Sequence, residues 1–394
     1  MPRADSPDPS GTYSLDAVAA GKLAALEAKA LLRTPAETTR DGVHVTRGGR
    51  RLLSFACNDY LDLSRHPAVK QAAVEAIAKY GAGAGASRLV TGNHPLYAEL
   101  ESKLAALKGT AAACVFGSGY LANVGIISTL MGRNDAVFVD ELAHNCILSG
   151  AKMSSAAVHL FRHNDTAHLG DLLAAERAKH RHAMIATDGV FSMDGDLAPL
   201  PALAAAADQF DAWLLADDAH GVGVVGGGRG SSFAFTPRPY VALQMGTLSK
   251  AVGGYGGYLC ASQPVIDLMK SRAGSLVYST GLPPAMVAAA IAALDIIATD
   301  PATVAKPLAK ARLFTAALGL AAATSAIVPV VLGDSKAALA AAALLETEGF
   351  LVAAIRPPTV PPGTARLRFT FSAAHEDADI NRLAVIVAER ILKS

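Results

Sequence analysis

The sequence predicts an α/β fold: a large domain with a mostly parallel sheet, covered by helices on both faces, followed by a smaller α+β domain. From about residue 66, helical stretches such as "HPAVKQAAVEAIAKY" alternate with short apolar runs such as "DAVFVD" and "AWLLADDAH". These runs are continuously apolar, which is typical of strands that are buried on both faces. The chain has 394 residues, 52% of them hydrophobic, so it can bury a large core.

The first 50 residues predict a tail, a helix and strands. The polar start "MPRADSPDPSGTYS" has no apolar signal core and is expected to be a short disordered tail. Residues 15–33 have the pattern of an amphipathic helix, and "GVHVTRGGRRLLSFACNDY" predicts two short strands around a Gly-Gly turn. We expect the large domain to span residues 51–285.

The remaining residues, 286–394, predict the small domain. An alanine-rich helix is expected at about 285–299, followed by the strands "AIVPVVLG" and "ARLRFTFS" and a final helix in "EDADINRLAVIVAERILK". The uncharged stretch 313–333 contains Gly319 and Pro329, and it is interpreted as a helix followed by a core strand rather than as a membrane span.

Charge and cysteine content limit the possible partners. The 35 basic side chains balance 34 acidic ones, and no basic stripe or basic amphipathic segment favours nucleic acid or a membrane surface. The four cysteines are scattered without a CxxC pair, so we expect free thiols in a reducing cytoplasm and no metal site. They are Cys57, Cys114, Cys146 and Cys260.

A lone lysine in "QMGTLSKAVGGYGGYLC" is the first sign of chemistry. Lys250 follows an apolar run and is flanked by Thr247 and Ser249, with glycines behind it. An ordinary lysine, with a pKa of about 10.4, is a poor nucleophile at neutral pH. Desolvation or a nearby cation lowers that pKa, and the amine can then condense with a carbonyl group.

Other polar groups also follow predicted strands, where ligands of parallel sheets bind. Asp217 and Asp218 end one strand, and their alternation sends them to opposite faces, which argues against a paired acid/base couple. Either could bind a metal, hold a cation or cap the next turn. His144 follows "AVFVD" and is either a solvated residue at a helix start or a ring presented to a planar ligand.

The segment "VFGSGYLAN" predicts a strand, a glycine turn and a helix start, whose N–H groups could bind a phosphate. It matches neither GxxxxGK[ST] nor GxGxxG, so ATP and NAD have no support here. A nucleophilic lysine, a carboxylate, an aromatic ring and a phosphate site together favour pyridoxal 5'-phosphate as the cofactor.

Several blocks also resemble the α-oxoamine synthases, which are fold type I pyridoxal-phosphate enzymes. The resemblance runs over roughly residues 30–390 and rests on "GASRLVTGNHPLYAELE", "FGSGYLAN", "DGVFSMDGDLAPL", "DDAHGVG", "GTLSKAVGGYGG", "YSTGLPP" and "ARLRFTFSAAH". It implies a decarboxylating condensation of an amino acid with an acyl thioester. The branch that uses L-alanine and a pimeloyl thioester looks most similar.

The resemblance also implies roles at the cofactor. Lys250 matches the lysine that binds the cofactor covalently and moves protons at Cα. Asp217 matches the partner of the pyridine nitrogen, and His144 the residue stacked on the ring. His220 matches the hydrogen-bond partner of the phenolic oxygen, and Ser192 is expected near that oxygen and the substrate.

Phosphate contacts are implied for Gly119, Tyr120 and Thr247. Ser279 and Thr280 would approach the phosphate from a second subunit, so the resemblance implies a homodimer with shared active sites.

Substrate contacts are implied for a further set. Arg356 matches an arginine that forks onto the amino-acid carboxylate, a bidentate contact that suits arginine. Thr359 follows it, Asn58 matches a residue at the substrate carbonyl, and Arg33 is a positional match only. Tyr97 stands where some members carry histidine and is assigned no chemistry.

Three alternatives stay open at this point. The chain could be an α-oxoamine synthase for another substrate pair, such as glycine with acetyl-CoA, and an acyl carrier protein could replace CoA. It could be an aminotransferase of the same fold. It could also be a non-catalytic binding or scaffold protein, although such a protein has no use for both Lys250 and Asp217.

Overall fold

The computed structural model describes residues 14–28, 31–32 and 34–393, and the predicted N-terminal tail lies largely outside them. Its helices are α1 Leu15–Ala28, α2 Pro67–Tyr80, α3 Leu96–Lys108, α4 Gly119–Leu130, α5 Asn145–Met153, α6 Thr166–Glu176, α7 Leu200–Gln209, α8 Gln263–Arg272, α9 Gly274–Val277, α10 Pro284–Thr299, α11 Pro301–Ala317, α12 Ser335–Thr347 and α13 Asp377–Val387. Its strands are β1 Thr39–Asp41, β2 His44–Arg47, β3 Arg50–Ser54, β4 Ala112–Phe116, β5 Ala136–Asp140, β6 Ala157–Phe161, β7 Ala183–Asp188, β8 Trp213–Asp217, β9 Leu243–Thr247, β10 Gly257–Ala261, β11 Ile327–Gly333, β12 Phe350–Leu351, β13 Ala353–Ile355 and β14 Ala365–Thr370.

A seven-stranded sheet forms the centre of the large part of the chain. Its order is β4-β10-β9-β8-β7-β5-β6, and only β10 runs antiparallel to its neighbours. All five residues of β5 are buried because both faces are covered. Val137 and Val139 join a core with α4, α5 and α8, whereas Phe138 joins a core with α6 and α7. The predicted parallel sheet with helices on both faces is confirmed.

The last third of the chain forms an α+β part, as predicted. An antiparallel sheet of order β11-β14-β13 packs against α11, α12 and α13 around Phe314, Phe369 and Leu383. The stretch read as a helix followed by a strand is the end of α11 and β11. Among the described residues, no single helix is long and apolar enough to cross a membrane; α10 and α11 reach that length only as a pair bent by 82°.

The N-terminal elements form as predicted, with one difference. Strands β2 and β3 pair around Gly48 and Gly49, and β12 extends their sheet. Helix α1 is shorter than residues 15–33, and none of its described residues is buried, so Leu15 and Leu23 stay exposed. The predicted apolar face therefore has no packing partner among the described residues of this chain.

The packing of α10 bears on the division into domains. Val287, Ile291 and Leu294 of this helix lie in the same core as α3 and β4. Ala311 and Phe314, in α11, belong instead to the core of the small sheet. We propose that the domain boundary lies after α10, near residue 300, and that β1–β3 belong with the small domain.

Candidate active site

One cavity opens at the carboxyl ends of β7, β8 and β9, beside the N-terminus of α4. It encloses about 640 Å³ of empty space with its open mouth included. The predicted residues that line it are Gly119, Tyr120, His144, Asp217, His220, Thr247 and Lys250. Gly119 and Lys250, which are 131 positions apart in sequence, thus meet at one cavity because parallel strands end at one edge of the sheet.

Lys250 lies in the turn that follows β9 and is half-buried. Burial lowers the pKa of its amine to about 8, even though the charges of Asp217 and Asp188 act in the opposite direction. A neutral amine is the form that attacks a carbonyl group. With that pKa, a fraction of Lys250 is in the neutral, nucleophilic form near neutral pH.

Asp217, the last residue of β8, is buried and held by two donors. Asn123 Nδ2 donates to its Oδ2 at 2.6 Å, and the N–H of Ala219 donates to its Oδ1 at 2.9 Å. Asp218 lies on the other side of the strand, where its Oδ2 accepts a hydrogen bond of 2.6 Å from the fully buried Lys108. The predicted separation of the two aspartates is confirmed, and only Asp217 lines the cavity.

A further buried carboxylate, Asp188, was not predicted. It ends β7, pairs in register with Asp217, and lines the same cavity. Burial, followed by the charge of Asp217, raises the pKa of Asp188 well above its usual range. Its Oδ1 accepts the N–H of His144 at 3.0 Å, so it positions that loop. The sequence feature that could have identified Asp188 is its position at the end of the predicted strand in "IATDGVF".

His144 is the N-cap of α5 and turns its ring toward the cavity. Its Nδ1 accepts the N–H of Cys146 at 3.3 Å and lies 2.7 Å from the Sγ of the same residue. Burial lowers the pKa of His144. The imidazole is therefore neutral at physiological pH and can offer an aromatic face to a planar ligand.

His220 and Asn58 meet through a tyrosine that the sequence did not single out. The hydroxyl of Tyr60 lies 2.6 Å from Nδ1 of His220 and 3.3 Å from Oδ1 of Asn58. Burial raises the pKa of Tyr60 to about 12 although the charge of Arg368 opposes this, so the phenol keeps its proton. Burial also lowers the pKa of His220 well below its usual value.

Arg368 of β14 links the small sheet to the active site. Its Nε donates to the backbone oxygen of Ser192, and both terminal nitrogens lie 3.4 Å from Oδ1 of Asn58. Ser192 and Asn58 are thus brought together, although neither lines the cavity around Lys250. One feature of the sequence could have identified Arg368: it and Arg366 occupy alternate positions in the otherwise apolar segment "ARLRFTFS".

The end of the cavity beside the N-terminus of α4 is built largely by backbone and could hold a phosphate. Ser118 caps α4 by accepting the N–H of Leu121 at 3.2 Å, which leaves the first N–H groups of the helix available. A Cβ on Gly119 would stand 3.2 Å from the side chain of Met245, so a larger residue would crowd this end. The hydroxyl of Thr247 donates to the oxygen of Gly256 at 2.7 Å and lies on the cavity wall.

Together these groups fit pyridoxal phosphate. A helix N-terminus suits the phosphate, a neutral amine suits the aldehyde, and a buried carboxylate suits a cationic ring nitrogen. All three groups line the same cavity: Gly119 is at the helix N-terminus, Lys250 supplies the amine and Asp217 the carboxylate.

Other predicted residues lie elsewhere within this chain. Ser279 donates to the oxygen of Ser275 at 2.8 Å, and Thr280 forms an isolated bridge with Ser87; both line a separate small cleft. Arg356 follows β13 and is half-buried, and the N–H of the exposed Thr359 donates to its oxygen at 3.0 Å. Neither lines the cavity around Lys250.

Arg33 and Tyr97 are the last two residues that the sequence analysis named. Arg33 lies outside the described residues. Tyr97, to which no chemistry was assigned, is fully buried; its hydroxyl accepts the N–H of Leu282, and the guanidinium of Arg88 stacks 3.9 Å from its ring centre.

Comparisons with known proteins identify the family of this chain. The family model for aminotransferase class I and II matches residues 50–387. An 8-amino-7-oxononanoate synthase from Beijerinckia indica is 63% identical over 376 residues, which is 95% of this chain and 97% of that protein.

Two solved structures have the same architecture. A serine palmitoyltransferase from S. paucimobilis, solved with a bound PLP–myriocin aldimine, superposes with a TM-score of 0.87 at 29% identity. The superposition covers 94% of this chain and 96% of that chain. An 8-amino-7-oxononanoate synthase from Francisella tularensis gives a TM-score of 0.74 at 26% identity, with coverages of 87% and 98%. The chain thus belongs to the class I and II aminotransferase family of fold type I pyridoxal-phosphate enzymes, in the group of the 8-amino-7-oxononanoate synthases.

Proposed function

We propose that this enzyme condenses L-alanine with a pimeloyl thioester and releases CO2, the thiol and 8-amino-7-oxononanoate, a step of biotin biosynthesis. The observation that carries the proposal is the 63% identity, over nearly the whole of both chains, with a relative named for that product. The cavity supports it independently, because the chemistry needs a nucleophilic amine and a buried carboxylate at one site, and Lys250 and Asp217 supply them.

Pyridoxal phosphate, when bound, supplies a carbonyl group that condenses with amines and a ring that takes up the electron pair released at Cα. Lys250 binds the cofactor through its amine and later removes and returns the proton at Cα of alanine, for which a pKa of about 8 is suitable. Asp217, fixed by Asn123, keeps the ring nitrogen protonated. His144 covers the ring face, and His220 binds the phenolic oxygen.

The remaining contacts orient the substrates. Arg356 binds the alanine carboxylate with Thr359 beside it, and Asn58 lies at the substrate carbonyl. Asn58 is held near Ser192 by Arg368, which supports a role of this group at the substrate end.

The assembly we propose is a homodimer with shared active sites. Ser279 and Thr280 lie on a cleft separate from the cavity of their own chain, which supports a contact with the phosphate of the partner subunit instead. The thioester is carried by CoA or by an acyl carrier protein. The four free thiols support the cytoplasm as the location.

A substrate matrix tests this proposal. L-alanine and glycine are each combined with pimeloyl-CoA and acetyl-CoA, and kcat/KM is measured from thiol release on one preparation, with Lys250→Ala as the blank. We expect alanine with pimeloyl-CoA to give the highest value and the gene to restore growth of a biotin-requiring strain. A higher value for glycine with acetyl-CoA, without restored growth, would assign the enzyme to glycine C-acetyltransferase chemistry. A half-reaction that consumes a keto acid without thioester would assign it to transamination.

A further inference from the structure

A cluster of two histidines and a glutamate lies on the outer part of the large sheet, away from the cavity around Lys250. His159 belongs to β6, the edge strand of the sheet, and Glu176 ends α6, with His180 shortly after it. One possible ligand atom from each of the three side chains lies within 4.8 Å of the other two. None of them lines the active-site cavity.

The local structure explains why these three meet. Glu176 is the last residue of α6 and His180 follows the short 3-10 turn Arg177–Lys179, so both lie at the same end of the helix. His180 is held by Arg177, which donates to its backbone oxygen at 2.8 Å. His159 stacks on Phe138 of the neighbouring strand with ring centres 5.0 Å apart, and its ring lies 6.0 Å from that of His180.

The hydrogen bonds of the cluster are incomplete. Nε2 of His159 is buried and has no hydrogen-bond partner among the residues that the structure describes. A buried polar nitrogen without a partner is costly and calls for an explanation. Both oxygens of Glu176 accept hydrogen bonds of 2.9 Å from Lys179, whose side chain is 62% exposed, so this cation can leave for solvent.

We propose that His159, Glu176 and His180 bind a divalent transition-metal ion, with zinc as the best match. Two imidazoles and one carboxylate form a known three-ligand zinc set, and water completes the tetrahedron. Ligand atoms at about 2.0–2.1 Å from zinc stand roughly 3.3 Å apart, so modest side-chain rotations close the cluster. The ion ties the edge strand β6 to the end of α6 and stabilises the fold there.

Binding of Zn²⁺ to the full-length, cofactor-loaded protein in metal-free buffer tests the proposal. Calorimetry measures stoichiometry and Kd, and Co²⁺ reports tetrahedral coordination through its visible absorbance. The ligand variants are Glu176→Gln, His180→Ala and His159→Phe, the last of which keeps an aromatic ring against Phe138. His182→Ala is the matched control, because His182 is half-buried on the same part of the chain and stacks on Trp213 instead.

We expect one Zn²⁺ per chain at micromolar or lower concentration, and a Kd raised about 10- to 100-fold or more in each ligand variant but not in His182→Ala. Lys179→Ala should bind zinc about two- to fivefold more tightly, because a competitor for the carboxylate is gone. Zinc should also raise the Tm of the wild type but not of His180→Ala, with activity unchanged in both. The absence of binding below millimolar Zn²⁺, or equal binding by the wild type and all three ligand variants, would overturn the proposal.

Discussion

Asn123 donates a hydrogen bond of 2.6 Å from its Nδ2 to Oδ2 of Asp217, and both side chains are buried. Asn123 lies on α4, the helix whose N-terminus at the cavity we assign to the phosphate. With these assignments, a single helix carries the phosphate site and orients the carboxylate that binds the ring nitrogen. The same amide group also lies 3.0 Å from the Sγ of Cys146, beside His144.

Asn123→Ala should lower the rate by about 10- to 100-fold, because a hydrogen bond to a charged group is worth about 1.5–3 kcal/mol. Asp217→Asn should lower it further, by about 10²–10⁴, since the carboxylate itself is lost. Exchange of the Cα proton of L-alanine with solvent measures the relevant step without thioester. If Asn123→Ala exchanges this proton as fast as the wild type, its contact with Asp217 is unimportant for positioning. If Asp217→Asn does so, Asp217 is not the partner of the ring nitrogen.

Lys108→Met should destabilise the fold without changing the chemistry. Lys108 is fully buried and binds Asp218 at 2.6 Å, so its removal leaves a buried carboxylate without its cation, which typically costs about 3–5 kcal/mol. Urea unfolding of the two proteins gives the difference. Lys103→Met is the control, because Lys103 pairs with the exposed Asp295 at the surface and should change the free energy of unfolding by less than about 1 kcal/mol. Equal stability of the two variants would contradict this account of Asp218.

Local patterns in the sequence were sufficient for most strands of the sheet and for most of the site residues at their ends, although Asp188 at the end of β7 was not singled out. The strands that carry Asp217 and Thr247 could be predicted from uninterrupted apolar runs, and parallel strands bring their ends together. Partnerships over long sequence separations could not be predicted this way. The contacts of Asn123 with Asp217 and of Arg368 with Ser192 depend on how helices and domains pack, which no local pattern encodes.

The packing of α1 could not be predicted for a different reason. The sequence pattern predicts one buried apolar face for this helix, but Leu15 and Leu23 remain exposed within this chain. A sequence pattern shows that a helix has apolar residues but not which surface covers them. Likewise, the three residues of the proposed zinc cluster follow no compact motif, because His159 comes from a strand and the other two from a helix end.

Covalent capture of pyridoxal phosphate by the apo-protein should depend on pH with a midpoint near 8. Burial lowers the pKa of Lys250 to about 8, so the neutral amine increases as the pH rises through that value and is scarce well below it. Borohydride trapping at short times measures the capture rate. In Asp217→Asn the midpoint should move to lower pH, because the charge of Asp217 raises the pKa of Lys250. A midpoint near 10, the value of an ordinary lysine, would refute the proposed desolvation.

Arg356→Ala should raise the KM for L-alanine and lower the rate, because the loss of a bidentate contact to a carboxylate typically costs about 2–5 kcal/mol. The KM for the thioester should change much less. Steady-state kinetics with each substrate varied in turn separates the two effects. Arg356→Lys serves as the conservative control and should recover only part of the loss, since lysine cannot form the bidentate contact with a carboxylate. Equal increases in both KM values would indicate a structural role.

The position of the covalent cofactor tests the assignment of the active site most directly. The full-length protein is loaded with pyridoxal phosphate, reduced with borohydride and digested, and the modified peptide is sequenced by mass spectrometry. The cavity geometry predicts one phosphopyridoxyl group per chain, on Lys250, and none in Lys250→Ala. A modification on another lysine, or equal labelling of Lys250→Ala, would contradict the assignment.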